Sequence, residues 1–115
     1  MNKSKKFILW FNELSINDVG IVGGKNASLG EMYRNLTKKG IRIPNGFAVT
    51  AYAYNYLLQK AGIKNELKKI LSNLGKSKKN LADVGKKARE TILRAEIPNE
   101  LKNEIIDAYK KLCRQ

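Results

Sequence analysis

Apolar residues follow two different rhythms along this chain. Phe7 to Phe11 (FILWF) is a short apolar run rich in aromatics, and it predicts a buried strand. Asn12 to Gly20 is polar with a small turn, and Ile21-Val22 leads into Gly23-Gly24. From Asn26 the rhythm becomes helical. Leu29, Met32, Tyr33 and Leu36 fall at i, i+3, i+4 and i+7, one face of a helix. Ser28 with Glu31 has the spacing of a capping box and Asn26 is a competing cap, so the first helical residue stays open between them. Gly40, just after Lys38 and Lys39, predicts the stop.

Ile41 to Ile43, Pro44-Asn45-Gly46 and Phe47 to Thr50 read as chain, turn and strand, with Gly46 as a turn glycine. Thr50 is placed to cap a helix from Ala51 to Lys60 that ends near Gly62. A further helix is expected from Lys64 to Leu74, and Gly75 to Lys79 reads as a basic loop. Asn80 is placed to cap a helix carrying Leu81, Val84, Ala88 and Ile92 on one face. Pro98 opens the last helix, with Leu101, Ile105, Ala108 and Leu112 as its stripe. The expected fold is therefore α+β: two or three short strands in the first 50 residues, then about four helices. So few strands make a poor sheet alone, which places their neighbours outside this chain.

The chain has 115 residues, one domain or one lobe of a larger one. Its 43% hydrophobic content excludes disorder over the whole length. Lys and Arg number 23 against 10 Asp and Glu, a net charge of +13. That excess raises a polyanionic partner, but scattered lysines are ordinarily solvated helix faces. Cys113 is the only cysteine, so no intrachain disulfide forms and a reducing, cytoplasmic setting is expected. No apolar run approaches the roughly 18 residues that span a membrane. The sequence contains no histidine. No imidazole can serve here as base, metal ligand or phosphoryl carrier, and a structural zinc site is excluded. Trp10 and Phe11 could stack on a base, though aromatics in an apolar run are ordinarily core. Tyr52, Tyr54 and Tyr56 alternate and cannot share one helix face.

The segment with chemistry is Val22 to Met32, VGGKNASLGEM. Two glycines let the backbone turn tightly and approach a ligand with no side chain between. A helix begins at once, and its unpaired first amides suit a phosphate. Lys25 adds a mobile ammonium at the same place. The spacing is not that of a Walker A loop, and Gly-Gly-Lys also occurs as an ordinary turn with a surface lysine.

Three blocks in order tip that balance: Leu9 to Leu14 (LWFNEL), Val22 to Met32, and Ile43 to Thr50 (IPNGFAVT). Together they resemble the start of the phosphoenolpyruvate synthases (pyruvate, water dikinases), and the likeness continues more loosely to the final helix around Ala108-Tyr109. The resemblance implies part of an ATP-grasp-type nucleotide-binding lobe, with Lys25 on ATP phosphates and Gly23, Gly24 and Asn26 beside it. It also implies a whole enzyme that turns ATP, pyruvate and water into AMP, phosphoenolpyruvate and phosphate with Mg2+. The family's next Ala-Val-Arg-Ser-Ser block, a carboxylate pair for magnesium and a phosphorylatable histidine are not found here. The expectation is an ATP-binding segment that is not catalytic as this isolated chain and holds ATP weakly. It carries no catalytic residue and no metal ligand of its own. Its expected partners are the remainder of the synthase or a self-associated copy. Two other readings stay open: a small basic nucleic-acid-binding protein using Lys76, Lys78, Lys79, Lys86 and Lys87, and a regulatory or decoy partner of a full-length synthase. No nucleic-acid-binding signature supports the former, so such binding should be non-specific.

Overall fold

The structure is a computed structural model describing residues 2–75 and 79–115. Of the basic loop expected over Gly75 to Lys79, Lys76, Ser77 and Lys78 lie outside the described residues, as do two members of the five-lysine cluster. Two compact units divide the chain: residues up to Asn55 together with Asn99–Gln115, and Tyr56–Pro98.

The first unit is built on Leu9. Strand β1 (Ile8–Trp10) pairs antiparallel with β2 (Phe47–Val49) in the register Ile8 with Val49, Leu9 with Ala48, and Trp10 with Phe47. Side chains alternate across a strand, so the middle pair faces inward and the outer pairs face away. Leu9 and Ala48 are buried accordingly, while the Trp10 and Phe47 rings meet on the other face at 5.4 Å. The expected strand is therefore present but shorter, because the chain turns into a 3-10 turn at Phe11–Glu13. There the Glu13 carboxylate accepts from the Trp10 amide at 2.8 Å. The Phe11 amide donates to the Gly46 carbonyl at 2.9 Å, and the Thr50 amide to the Phe7 carbonyl at 3.0 Å, so pairing extends past both strand ends.

Ser15 caps a further 3-10 turn (Ile16–Asp18), followed by a single helical turn α1 (Val19–Val22) and the long helix α2 (Gly24–Thr37). Two sequence expectations fail here. Helix α2 starts at Gly24, so neither Asn26 nor Ser28 caps it, and Glu31 instead accepts from the Ile16 amide at 3.0 Å. The stripe Leu29, Met32, Tyr33 and Leu36 is not the most deeply buried face, though Leu29, Tyr33 and Leu36 are half-buried. Ala27 and Gly30 are buried, while Met32 is 42% exposed. Small residues won the core because the chain around Leu14 runs directly against this helix. A Cβ on Gly30 would collide with the Leu14 Cβ.

Leu9, Leu14, Val22, Ala27 and Ala48 form this unit's core, with Phe11 and Ile21 against it. Thr50 accepts from the Ala53 amide at 3.1 Å, as expected of the cap of α3 (Ala51–Lys60), and its hydroxyl also donates to the Lys6 carbonyl. Helix α6 (Asn99–Cys113) buries Leu101 and Ala108, in line with its expected stripe. Gly46 corrects another expectation. It is buried with ordinary backbone geometry, and glycine is required because a Cβ would meet the Phe11 ring at 2.7 Å.

The second unit is a helical hairpin. Leu58, Ile63 and Leu67 form its core, with Ala88 and Ile92 packed on them. Helix α4 (Lys64–Ser72) stops two residues short of the expected Leu74, and α5 runs over Leu81–Arg94. Asn80 does not cap α5 through its side chain. It accepts from the Gly75 amide at 3.0 Å and donates to the Asn73 carbonyl at 2.6 Å, closing a loop instead. Gly40 and Gly62 do end their helices as expected, each with positive φ and paired return hydrogen bonds.

The close approach of α2 to Leu14 gives a test. Gly30→Ala should destabilise the fold by about 1–3 kcal/mol through overpacking. Gly20→Ala, where a Cβ meets nothing within 4 Å, serves as the control. Chemical denaturation followed by circular dichroism checks the pair, and equal midpoints would count against the packing argument.

Candidate functional site

The candidate site lies where α1 passes into α2. Gly23 sits between them with φ 85° and ψ 163°, a region open essentially only to glycine. Its amide closes α1 by donating to the Val19 carbonyl at 2.8 Å, and its carbonyl accepts the first bond of α2, from the Ala27 amide at 3.0 Å. The amides of Gly24, Lys25 and Asn26 precede that bond, so no carbonyl within α2 is available to them. They stand at the positive end of a helix of 14 residues.

Gly24 differs from its neighbour. Its φ is not positive, and a Cβ there would meet nothing within 4 Å. Neither conformation nor packing demands glycine at this position. Lys25 follows, exposed in the first turn of α2, with no ion pair among the described residues. A cation there opposes the helix dipole. Asn26 is partly buried, and its side-chain amide turns back to donate to the Val22 carbonyl at 3.0 Å. That bond ties α2 to α1 across the glycine pair. Gly23, Gly24, Lys25 and Asn26 are thus brought together as one turn, with Asn26 holding the backbone.

Sequence reasoning missed Asp18, immediately before α1. It is buried, 8% exposed, and one carboxylate oxygen accepts from both the Ser15 amide at 2.9 Å and the Lys3 ammonium at 3.1 Å. Burial pushes this carboxyl upward. The Ser15 bond, the Lys3 bond and the charges of Lys3 and Arg34 together outweigh burial and hold the pKa below its ordinary value of 3.8. The signal was legible: Ser15 and Asp18 have capping-box spacing, and both of that box's bonds are present.

A separate groove of about 540 Å3 lies in the same unit, with Trp10, Phe7 and Tyr52 among its lining residues. Phe7 and Tyr52 stack at 5.5 Å. None of Gly23 to Asn26 lines it. Among the described residues no group of three or more Asp, Glu or Cys side chains could hold a metal ion. No helix among them is long and apolar enough to cross a membrane.

Two outcomes follow for stability. Gly23→Ala should cost about 1–3 kcal/mol, whereas Gly24→Ala should leave the fold unchanged or gain about 0.5 kcal/mol. Thermal melting of both variants tests this, and equal losses would remove the distinction drawn between the glycines. A carboxylate whose pKa is depressed on folding stabilises the fold above its unfolded pKa, and the contribution is lost as pH falls through the folded pKa. Asp18→Asn should therefore cost about 1–2 kcal/mol at neutral pH. The gap from wild type should close as pH drops below 3.8. A gap independent of pH would show that the carboxylate charge is not what matters.

The pyruvate phosphate dikinase AMP/ATP-binding domain family matches residues 19–115. The chain is 45% identical over 113 residues to the phosphoenolpyruvate synthase of Synechocystis, with 97% of this chain and 14% of that protein covered. It is 44% identical over 113 residues to the enzyme of Aquifex aeolicus, covering 97% of this chain and 13% of the relative. Identity to the Escherichia coli enzyme is 42% over 112 residues, covering 96% and 14%. The chain thus spans about a seventh of the length of these relatives. With Gly23 to Asn26 inside the matched region, the chain belongs to the pyruvate phosphate dikinase AMP/ATP-binding domain family.

Proposed function

We propose that this chain is the amino-terminal ATP-binding segment of a phosphoenolpyruvate synthase, and that the turn from Gly23 to Asn26 receives the nucleotide's phosphates. One observation carries this reading. Three amides without a helical carbonyl partner, an uncrowded glycine and a lone exposed lysine converge at one helix start. These residues fit a phosphate: the amides donate, the dipole and Lys25 supply positive charge, and Gly24 leaves the approach clear. Asn26 keeps α2 in register with α1.

The remaining assignments follow the family. The lobe is of ATP-grasp type, and the rest of the synthase, in the cytoplasm, supplies the other phosphate contacts and the pyruvate site. Magnesium would be held there too, because the carboxylates described here do not converge. The lysine excess then needs no nucleic-acid partner. A phosphoryl carrier of the imidazole type is chemically impossible within these residues, since they include no histidine. Among the described residues no further strand pairs with the two-stranded sheet, and open edges favour pairing with further chain or with a second copy.

Titrating ATP into wild type and Lys25→Ala, with amide shifts as the readout, tests the reading. Wild type should bind in about the millimolar range, with Gly23 to Asn26 amides shifting most. Lys25→Ala should bind more weakly yet be as stable or gain about 0.3–1 kcal/mol, because it removes a cation from the positive end of a helix. Equal shifts in the two proteins would overturn the role of Lys25. The 115-residue chain given ATP, pyruvate and magnesium should form no phosphoenolpyruvate.

A further inference from the structure

The start of α2 is reached through two adjacent glycines, Gly23 and Gly24. Downstream it is held by the Asn26 bond to Val22 and by the packing of Gly30 on Leu14. Upstream only the single turn α1, four residues long, separates it from the preceding chain. One helical turn is not stable by itself, because nucleation costs more than its few hydrogen bonds return. Burial of Val22 in the core holds its far end, and at its near end polar groups from the arm and from the preceding turn meet at Asp18.

We propose that Asp18 is a positioning residue for the phosphate-facing turn, acting by locking the chain from Ser15 to Gly23 between the N-terminal arm and α2. Its carboxylate joins the Ser15 amide to Lys3, which belongs to the 3-10 turn Lys3–Lys5. That arm is itself fastened, since the Lys6 carbonyl accepts from Thr50 and the Lys6 ammonium lies 3.5 Å from Glu13. From the other side, Glu31 of α2 takes the Ile16 amide. The turn before α1 is therefore gripped by one carboxylate from within and another from α2. The charged groups acting on Asp18 are Lys3 from the arm and Arg34 from α2, both cationic. Both favour the ionised form, so the lock is closed at neutral pH. The Asp18 side chain is 11% exposed, which limits competition from water at the carboxylate, while the Lys3 side chain is 42% exposed.

This role rests on the phosphate-binding reading above, and the experiment separates the two. Amide spectra and ATP titrations are recorded for the full chain as wild type, Asp18→Asn, Lys3→Met and Leu67→Ala. The last is a core substitution in the other unit that lowers stability without touching the turn. All are measured where each is folded. Asp18→Asn should weaken ATP binding about tenfold, the size expected from losing a hydrogen-bonded buried charge. Lys3→Met should weaken it about threefold, and Leu67→Ala should leave it unchanged. The Gly23 and Gly24 amides of wild type should also titrate with a carboxyl pKa below 3.8, a response absent from Asp18→Asn. Unchanged affinity in folded Asp18→Asn, or an equal loss in Leu67→Ala, overturns the proposal. If wild type shows no ATP response, the phosphate reading falls, and the ligand-free spectra decide. Gly23 to Asn26 amides displaced in Asp18→Asn but not in Leu67→Ala uphold the lock, and undisplaced amides refute it. If Asp18→Asn does not fold, Lys3→Met decides by the same criteria.

Discussion

Everything at the candidate site depends on how closely α2 lies against the chain around Leu14. Gly30 makes that approach possible, because any side chain there would collide with the Leu14 Cβ. Leu14 is fully buried at this contact and shares its core with Leu9 and Ala48 of the two-stranded sheet. The helix is thereby fixed to the sheet through small residues rather than through its larger apolar side chains. Ala27, also fully buried, continues the same small face towards the helix start. The direction in which the first amides of α2 point is thus set one turn and more away, by a van der Waals limit.

A helix held this way has its large residues to spare. Met32 is exposed, and Ile16 and Val19 of the preceding turns are exposed as well. Single apolar residues on a surface need no explanation, and the sheet of the same unit has two strands among the described residues. A sheet of two three-residue strands contributes few hydrogen bonds of its own. It is held instead by Leu9 and Ala48 on one face and by the Trp10 and Phe47 rings on the other. The contacts that make it persist are lateral and hydrophobic.

Much of this was legible in the sequence, and the misses share a cause. The strands around Leu9 and Ala48, the cap at Thr50, the glycine stops at 40 and 62 and the last helix all rest on local chemistry, and all appear. The buried face of α2 did not follow from periodicity, because a stripe count rewards large residues and cannot see that a neighbour leaves room only for glycine. Gly46 misled for the same reason: Pro-Asn-Gly is good turn chemistry, but the glycine answers to the Phe11 ring. At the site, the glycine pair and Lys25 were readable from composition and order. The helix start was misplaced because Ser28 and Glu31 match a capping box by spacing while Glu31 is engaged elsewhere, with Ile16. Asp18 was overlooked although the same spacing rule, applied to Ser15, finds it.

The turn from Gly23 to Asn26 departs from what the fold alone would choose, at two adjacent positions. Gly23 is explained by its backbone, since φ 85° with ψ 163° excludes other residues. Gly24 is not, for its backbone is ordinary and the space beside it is empty. A residue with a side chain would serve the helix better there, because glycine carries the larger entropy loss on folding. Lys25 repeats the pattern, as a carboxylate would suit the first turn and a cation does not. One such departure could be accidental on a lysine-rich surface. Two in succession, at a helix start with three amides that no helical carbonyl claims, are what the phosphate site proposed above would account for. On that proposal the helix forgoes a little stability at its first turn in exchange for clearance and charge at the site.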